Sequence, residues 1–170
     1  MRIETERLIL RPFTPDDAAF VVGLLNEPSF IANIGDRGVR TLEDAVVYLA
    51  GGPIASYEAN GHGLLRVELR DTGEPIGMCG LLRRAQFADV DVGYSILPAY
   101  WRRGYATEAV AATLRHGRDA LGIGRIIALV SPHNTPSARL LEKLGFTFVE
   151  TVDLLPAGAE VRVYEQLAAP

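Results

Sequence analysis

The sequence predicts an α/β (α+β) chain in which a mixed sheet carries helices on its faces. Three observations lead there. Strand-like alternation and helical spacing share the chain in the order β, α, α, three strands, α, β, α, β, β. Among those three strands, "HGLLRVELR" and "EPIGMCGLLRR" flank "DTG", a hairpin signal that makes part of the sheet antiparallel. No internal repeat, low-complexity tract or linker divides the 170 residues, so 1–170 reads as a single domain, long enough to bury a sizeable core.

Each element has a local reason. "RIETERLILRPF" alternates as a strand. "TPDDAAFVVGLLNEP" opens a helix with Thr14 as N-cap, Pro15 at the first helical position and Asp16 and Asp17 in the first turn; Pro28 stops it. "TLEDAVVYLAGGP" repeats the device with Thr41, and its double glycine ends or breaks the segment. After the hairpin, "DVDVGYSIL" is a third strand that closes at Pro98. "YATEAVAATLRHGRDALG" is a long amphipathic helix with Ala109, Val110, Thr113 and Leu114 on one face. "RIIALVS" is a short buried-type strand. "NTPSARLLEKLG" is a second amphipathic helix, with Ala138, Leu141 and Leu144 inward and Gly145 as C-cap. "FTFVETV" and "AEVRVYEQL" finish as strands.

Composition narrows the function. With 48% hydrophobic and 22% charged residues, the chain is globular rather than disordered. Seventeen basic against 21 acidic residues give a net charge of −4, which argues against a nucleic-acid partner. The single cysteine, Cys79, permits no intramolecular disulfide and reads as a packed thiol within "IGMCGLL". No stretch has the length of a transmembrane helix and "MRIETERLIL" lacks a signal-peptide pattern, so a soluble cytoplasmic protein without a membrane partner is expected. His62, His116 and His133 show no paired ligand spacing, so no metal is expected.

The sharpest motif is "WRRGYATE", residues 101–108, where a strand hands over to a helix. The first amides of a helix have no intrahelical partner, and the macrodipole adds partial positive charge there. Gly104 and Ala106 let an anion approach this backbone, and Arg102 and Arg103 add charge beside it. A capped helix with solvated arginines is the alternative. No G-x-x-x-x-G-K-[ST] occurs. "GHGLLR" and "GIGRII" fail the G-x-G-x-x-G fingerprint at Arg66 and Ile127, and G-x-S-x-G is absent. A diphosphate bound without a catalytic metal gains support. "HNTPSARLLEKLGF" starts another helix straight after a strand, with Asn134 and Ser137 three residues apart at its end; either residue may equally be a cap.

"DVGYSILPAYWRRGYATEAV" resembles the acetyl-CoA-binding signature of the GNAT N-acetyltransferases, in their RimJ/RimL-like branch. "NTPSARLLEKLGF" is similar to that branch's second cofactor motif, "IETERLILRPFTPDDA" to its start and "DTGEPIGMCGL" to its central hairpin. The resemblance implies a GNAT fold, a mixed, mostly antiparallel seven-stranded sheet with helices on both faces. Its fourth and fifth strands, here 89–97 and 125–131, would splay to admit the acetyl-pantetheine arm. Backbone groups around Ile96 and Leu97 would follow the pantetheine. The amides of Arg102, Arg103, Gly104, Tyr105, Ala106 and Thr107 would receive the diphosphate, with Asn134 and Ser137 as the second cofactor wall. The family pattern Q/R-x-x-G-x-G/A begins at Trp101, a substitution usual in this branch.

The implied reaction moves the acetyl group of acetyl-CoA to an amine acceptor, either a protein N-terminus or a small-molecule amine, by direct attack in a ternary complex. A non-catalytic acetyl-CoA-binding module is the alternative, and the resemblance leaves a homodimer open. The tyrosine that protonates the departing thiolate in many relatives corresponds to Leu141, so Ser137 takes that role. A carboxylate would remove the amine proton, with Asp91 the choice among Asp89, Asp91, Glu68 and Glu108. A backbone N–H beside a strand bulge at 95–97 would hold the oxyanion. Tyr94 and Tyr57 would line the acceptor pocket or pack in the core.

Overall fold

A turn at Thr5–Arg7 divides the opening strand-like run. β1 (Ile3–Glu4) and β2 (Leu8–Pro12) pair antiparallel as Ile3↔Leu10, and the Thr5 amide donates to the Leu8 carbonyl at 2.9 Å. Continuous alternation does not reveal such a turn, because Ile3 on one side of it and Leu8 and Leu10 on the other are buried in the same cluster. The computed structural model describes residues 1–154 and 159–168, and its sheet has eight strands in the order β1-β2-β3-β4-β5-β6-β8-β7, one more than expected. The others are β3 (Leu64–Leu69), β4 (Pro75–Arg83), β5 (Val90–Ile96), β6 (Arg125–Val130), β7 (Thr147–Leu154) and β8 (Ala159–Leu167). Every neighbouring pair is antiparallel except β5 and β6.

The helices before β3 are more numerous than the sequence suggests. A 3-10 turn at Pro15–Asp17 leads into α1 (Ala18–Leu25). Pro28 then opens the short α2 (Pro28–Asn33), because a proline at the first helical turn forfeits no bond. α3 (Leu42–Leu49) starts on a capping box: Asp44 N–H donates to Thr41 Oγ1 at 3.1 Å, and Thr41 N–H to the Asp44 carboxylate at 3.0 Å. The double glycine does not end this segment. The backbone widens into a π-helical turn over Ala50–Ile54, which accommodates Pro53, and continues as α4 (Ala55–Asn60).

Two apolar clusters cover the faces of the sheet. α1, α2 and α3 bury Leu24, Leu25, Phe30, Ala45 and Leu49 against Leu64 and Met78. α5 (Tyr105–Asp119) and α6 (Thr135–Lys143) bury Ala109, Val110, Leu114 and Leu141 against Cys79, Leu81, Ile126 and Tyr164 on the other. Alternation along β4 serves both, Met78 toward the first cluster and Cys79 and Leu81 toward the second.

A polar cluster ties the first helix to the sheet. Asp17, 3% exposed, accepts from Arg11 Nη1 at 2.9 Å and Nη2 at 2.8 Å, from Arg66 Nη1 at 2.6 Å and from the Thr14 amide at 2.9 Å. Glu68 lies 3.3 Å from Arg11 Nε and 3.0 Å from Arg66 Nε. Burial alone would raise the Asp17 carboxyl, but the bonds from Arg11, the Thr14 amide and Arg66 outweigh it and hold it below the ordinary value. Asp17→Asn is expected to cost about 3 kcal/mol in urea denaturation, the low end for breaking a buried pair because Glu68 still serves both arginines. Because the folded-state value is lowered, this contribution is present above the unfolded-state value and lost as pH falls through the folded one. The gap between wild type and variant should therefore narrow below about pH 4.

Candidate active site

The site begins where β5 loses one of its neighbours. β4 and β5 pair without a register shift from Gly77↔Ile96 to Arg83↔Val90, and Leu97 N–H donates to Ile76 O at 2.8 Å. By antiparallel alternation, the backbone groups of Tyr94 and Ile96 point away from β4, toward β6. There β5 pairs only as Val90↔Ile126 and Asp91↔Ile127. β6 meanwhile stays paired with β8 from Arg125↔Leu167 to Val130↔Arg162. Beyond Asp91 the two central strands therefore part. The bulge expected at 95–97 does not occur: a Cβ at Gly77 would collide with the Ser95 carbonyl, and without one the strands stay close. Trp101 Nε1 donates to the Ile96 carbonyl at 2.7 Å.

A 3-10 turn at Pro98–Tyr100 then delivers the chain to the start of α5. Arg102 has φ 60° and Gly104 φ 81°, so the loop makes two left-handed steps. Among the described residues, the amides of 102–107 have no protein acceptor, and the first helical bond runs from Glu108 N–H to Gly104 O at 3.0 Å. Arg102 and Arg103 are exposed, and the Arg103 guanidinium lies 5.7 Å from the Tyr100 ring centroid.

α6 forms the other wall. Asn134 caps it by accepting from Ser137 N–H at 3.3 Å. The Ser137 hydroxyl shares a 2.5 Å hydrogen bond with the Tyr94 hydroxyl, so the Tyr94 side chain spans from β5 to α6. Burial pushes the Tyr94 phenol up to about 12. Because they lie 43 positions apart in the sequence, no local pattern pairs Tyr94 with Ser137. Leu141, one turn further along α6, is fully buried in the core.

Asp91 lies elsewhere. It is 1% exposed, at the still-paired end of β5 and on the face opposite Tyr94, and Arg84 Nε donates to its two oxygens at 3.1 and 3.2 Å. Burial pushes its carboxyl up. The structure therefore brings Tyr94 to Ser137 but not Asp91. Tyr57 is a structural pin: it accepts from Phe13 N–H at 3.0 Å and donates to the Leu64 carbonyl. At the end of β6, Ser131 Oγ donates to Asn33 O at 2.7 Å and His133 Nε2 lies 3.1 Å from Asn33 Oδ1. The end of α2 is thus fastened beside the parted strands, a contact that depends on the unanticipated α2.

The relatives of the chain agree with this architecture. A family model, the acetyltransferase (GNAT) domain, matches residues 7–147. The uncharacterized N-acetyltransferase YoaA of Bacillus subtilis is 35% identical over 147 residues, 85% of this chain and 81% of its own. The crystal structure of the acetyltransferase from Agrobacterium tumefaciens str. C58 has a TM-score of 0.82 at 28% identity, covering 99% of this chain and 95% of its own. RimL, the ribosomal L7/L12 alpha-N-protein acetyltransferase in complex with coenzyme A, shares the fold with a TM-score of 0.84 over 98% of both chains, at 15% identity. The fold is thus shared over nearly the whole chain with solved acetyltransferases. The chain belongs to the GNAT acetyltransferase family.

Cys79 sits opposite Tyr94 in the β4–β5 register, fully buried, with its sulfur 3.3 Å from Thr113 Oγ1, and burial pushes the thiol up to about 12. An aromatic disulfide reagent should leave the native protein unmodified at neutral pH and titrate one thiol only after denaturation, read by thiolate absorbance. Rapid modification of the native form would place Cys79 within reach of the site.

Proposed function

We propose that the protein is an acetyl-CoA-dependent N-acetyltransferase of the RimJ/RimL-like branch that acetylates a primary amine in a ternary complex. The observation that carries this reading is the run of amides from Arg102 to Thr107, without acceptors among the described residues, at the start of the 15-residue α5 and beside the parted strands. The residues fit the cosubstrate. Gly104 has no Cβ to keep a diphosphate off the backbone, and the exposed Arg102 and Arg103 add charge at the rim. Backbone groups of Tyr94 and the Ile96 amide face the gap in which the pantetheine would lie, whereas the Ile96 carbonyl is held by Trp101 and the Leu97 amide by Ile76.

Bound acetyl-CoA supplies a thioester: its carbonyl carbon bonds the amine nitrogen, the C–S bond breaks, and the amine loses a proton while the thiolate requires one. Ser137 is positioned to donate to that sulfur. The Tyr94 hydroxyl, protonated throughout the neutral range, shares a hydrogen bond with Ser137 Oγ, and in the arrangement where Tyr94 is the donor the serine hydrogen is free for the leaving group. Asp91 is held as the counter-ion of Arg84, so its position favours a structural role over removal of the amine proton.

Isothermal titration should show saturable acetyl-CoA binding, and no binding at high micromolar concentration would sink the assignment. Release of free thiol over a panel of amines should identify the acceptor class; binding without release on any amine would favour a non-catalytic module. Ser137→Ala should lower kcat by about a hundredfold while acetyl-CoA affinity holds within about twofold. An unchanged kcat would remove Ser137 from the chemistry.

A further inference from the structure

The turn between β1 and β2 carries "TER", a part of the opening motif that the chemistry above does not use. Its side chains reach the first turn of α5. Glu108 accepts from Thr5 Oγ1 at 2.6 Å, from Arg7 N–H at 3.0 Å and from Arg7 Nε at 2.7 Å, and Arg7 Nη2 lies 2.6 Å from the same carboxylate. The remaining arm, Arg7 Nη1, donates to the Arg103 carbonyl at 2.8 Å. The guanidinium carbon stands 4.5 Å from the Tyr105 ring centroid, and a Cβ at Gly104 would come within 3.2 Å of Nη2. Each nitrogen of the Arg7 guanidinium thus has a partner, Nη1 the loop carbonyl and Nε and Nη2 the helix-turn carboxylate, and its face lies by the helix-start ring.

We propose that Arg7 is a positioning residue for the diphosphate cradle: by holding the Arg103 carbonyl and neutralising Glu108, it presets the amides at the start of α5. The inference rests on the reading of 102–107 as the diphosphate site. The Arg103 carbonyl and the Gly104 N–H belong to one planar trans peptide and point in opposite directions. Fixing the carbonyl on Arg7 therefore fixes the Gly104 N–H on the side away from Arg7. At a glycine, whose backbone is otherwise the freest in the chain, such a constraint removes an ordering cost that binding would have to meet. Charge acts in the same direction. Glu108 is a carboxylate one turn from the cradle, and without its arginine it would oppose a second anion there. Its bonds outweigh the effect of burial and hold its carboxyl below the ordinary value, so it is ionised at neutral pH and needs that counter-charge. Arg7 acts on the loop backbone, since Nη1 holds the Arg103 carbonyl while Nε and Nη2 face Glu108.

Two acetyl donors separate positioning of the cradle from general support of the fold: acetyl-CoA, and S-acetylpantetheine, which lacks the diphosphate. Arg7→Ala should weaken acetyl-CoA binding about tenfold, the effect of losing one preorganising charge-assisted contact. Its kcat/KM with S-acetylpantetheine should stay within about twofold of wild type, because that donor makes no diphosphate contact. Arg7→Lys keeps the charge but not the fork that reaches Arg103 and Glu108 together, so it should retain most of the defect. An Arg7→Ala protein that binds acetyl-CoA like wild type overturns the inference, as does an equal loss with both donors. If Arg7→Ala does not fold, Arg7→Lys decides alone: a selective acetyl-CoA defect supports the inference, and wild-type affinity overturns it. Wild-type protein that binds no acetyl-CoA overturns the functional reading and this inference together.

Discussion

Beyond Asp91, β5 has a partner strand on one edge only among the described residues, and the site follows from that constraint. Backbone polar groups must find partners, and an interior strand normally finds them on both sides. Here β4 holds one edge of β5 in continuous register, while β8 holds the far edge of β6, so neither strand can shift to close the gap. Trp101 covers the Ile96 carbonyl, and the Tyr94 side chain crosses to α6. The parting is thus built into the sheet before any ligand arrives. The chain leaving β5 must also turn at the mouth of the gap, which sets the start of α5 beside it.

Two carboxylate–arginine clusters hold the frame around this opening, under different conditions. Asp17 is buried among Arg11 and Arg66 and joins the first helix to β2 and β3. There the cost of desolvation makes the complete set necessary rather than merely helpful. Glu108 is partly solvated and gathers Thr5 and Arg7 onto α5. Screening makes such a pair modest in stability. Its four bonds converge on one loop, however, so its effect falls on geometry. One cluster supports the face carrying α1–α3, and the other supports the cradle.

The Tyr94–Ser137 bond links β5 to α6 at the mouth of the opening. A buried phenol stays protonated, and its hydrogen bond with Ser137 Oγ holds the two hydroxyls together. The fastening of Ser131 and His133 onto Asn33 limits movement at the end of β6 in the same way. Small side chains separated by long stretches of sequence thus share the work of holding the opening at one width.

Local sequence determined much of this protein. The capping box at Thr41, the Asn134 cap, the β3–β4 hairpin, the α5 and α6 faces and the glycine at the cradle are all set by neighbours within a few residues, where spacing and residue type suffice. The motif resemblance added the family and the parting of 89–97 from 125–131. Tertiary structure decided what depends on distant partners. The split of the first strand, the helix opened at Pro28 and the unbroken β4–β5 register each turned on packing or close approach that periodicity does not encode. The same holds for side chains: Asp91 reads from its strand as a free carboxylate, yet the fold gives it to Arg84 and buries it. Arg7 and Glu108 lie 101 residues apart, and only the folded sheet brings the first turn of the chain against the helix that follows "WRRG". Sequence could specify the free amides at the start of α5, because helix starts are local; the contact on the Arg103 carbonyl is long-range, because it comes from Arg7 at the other end of the chain.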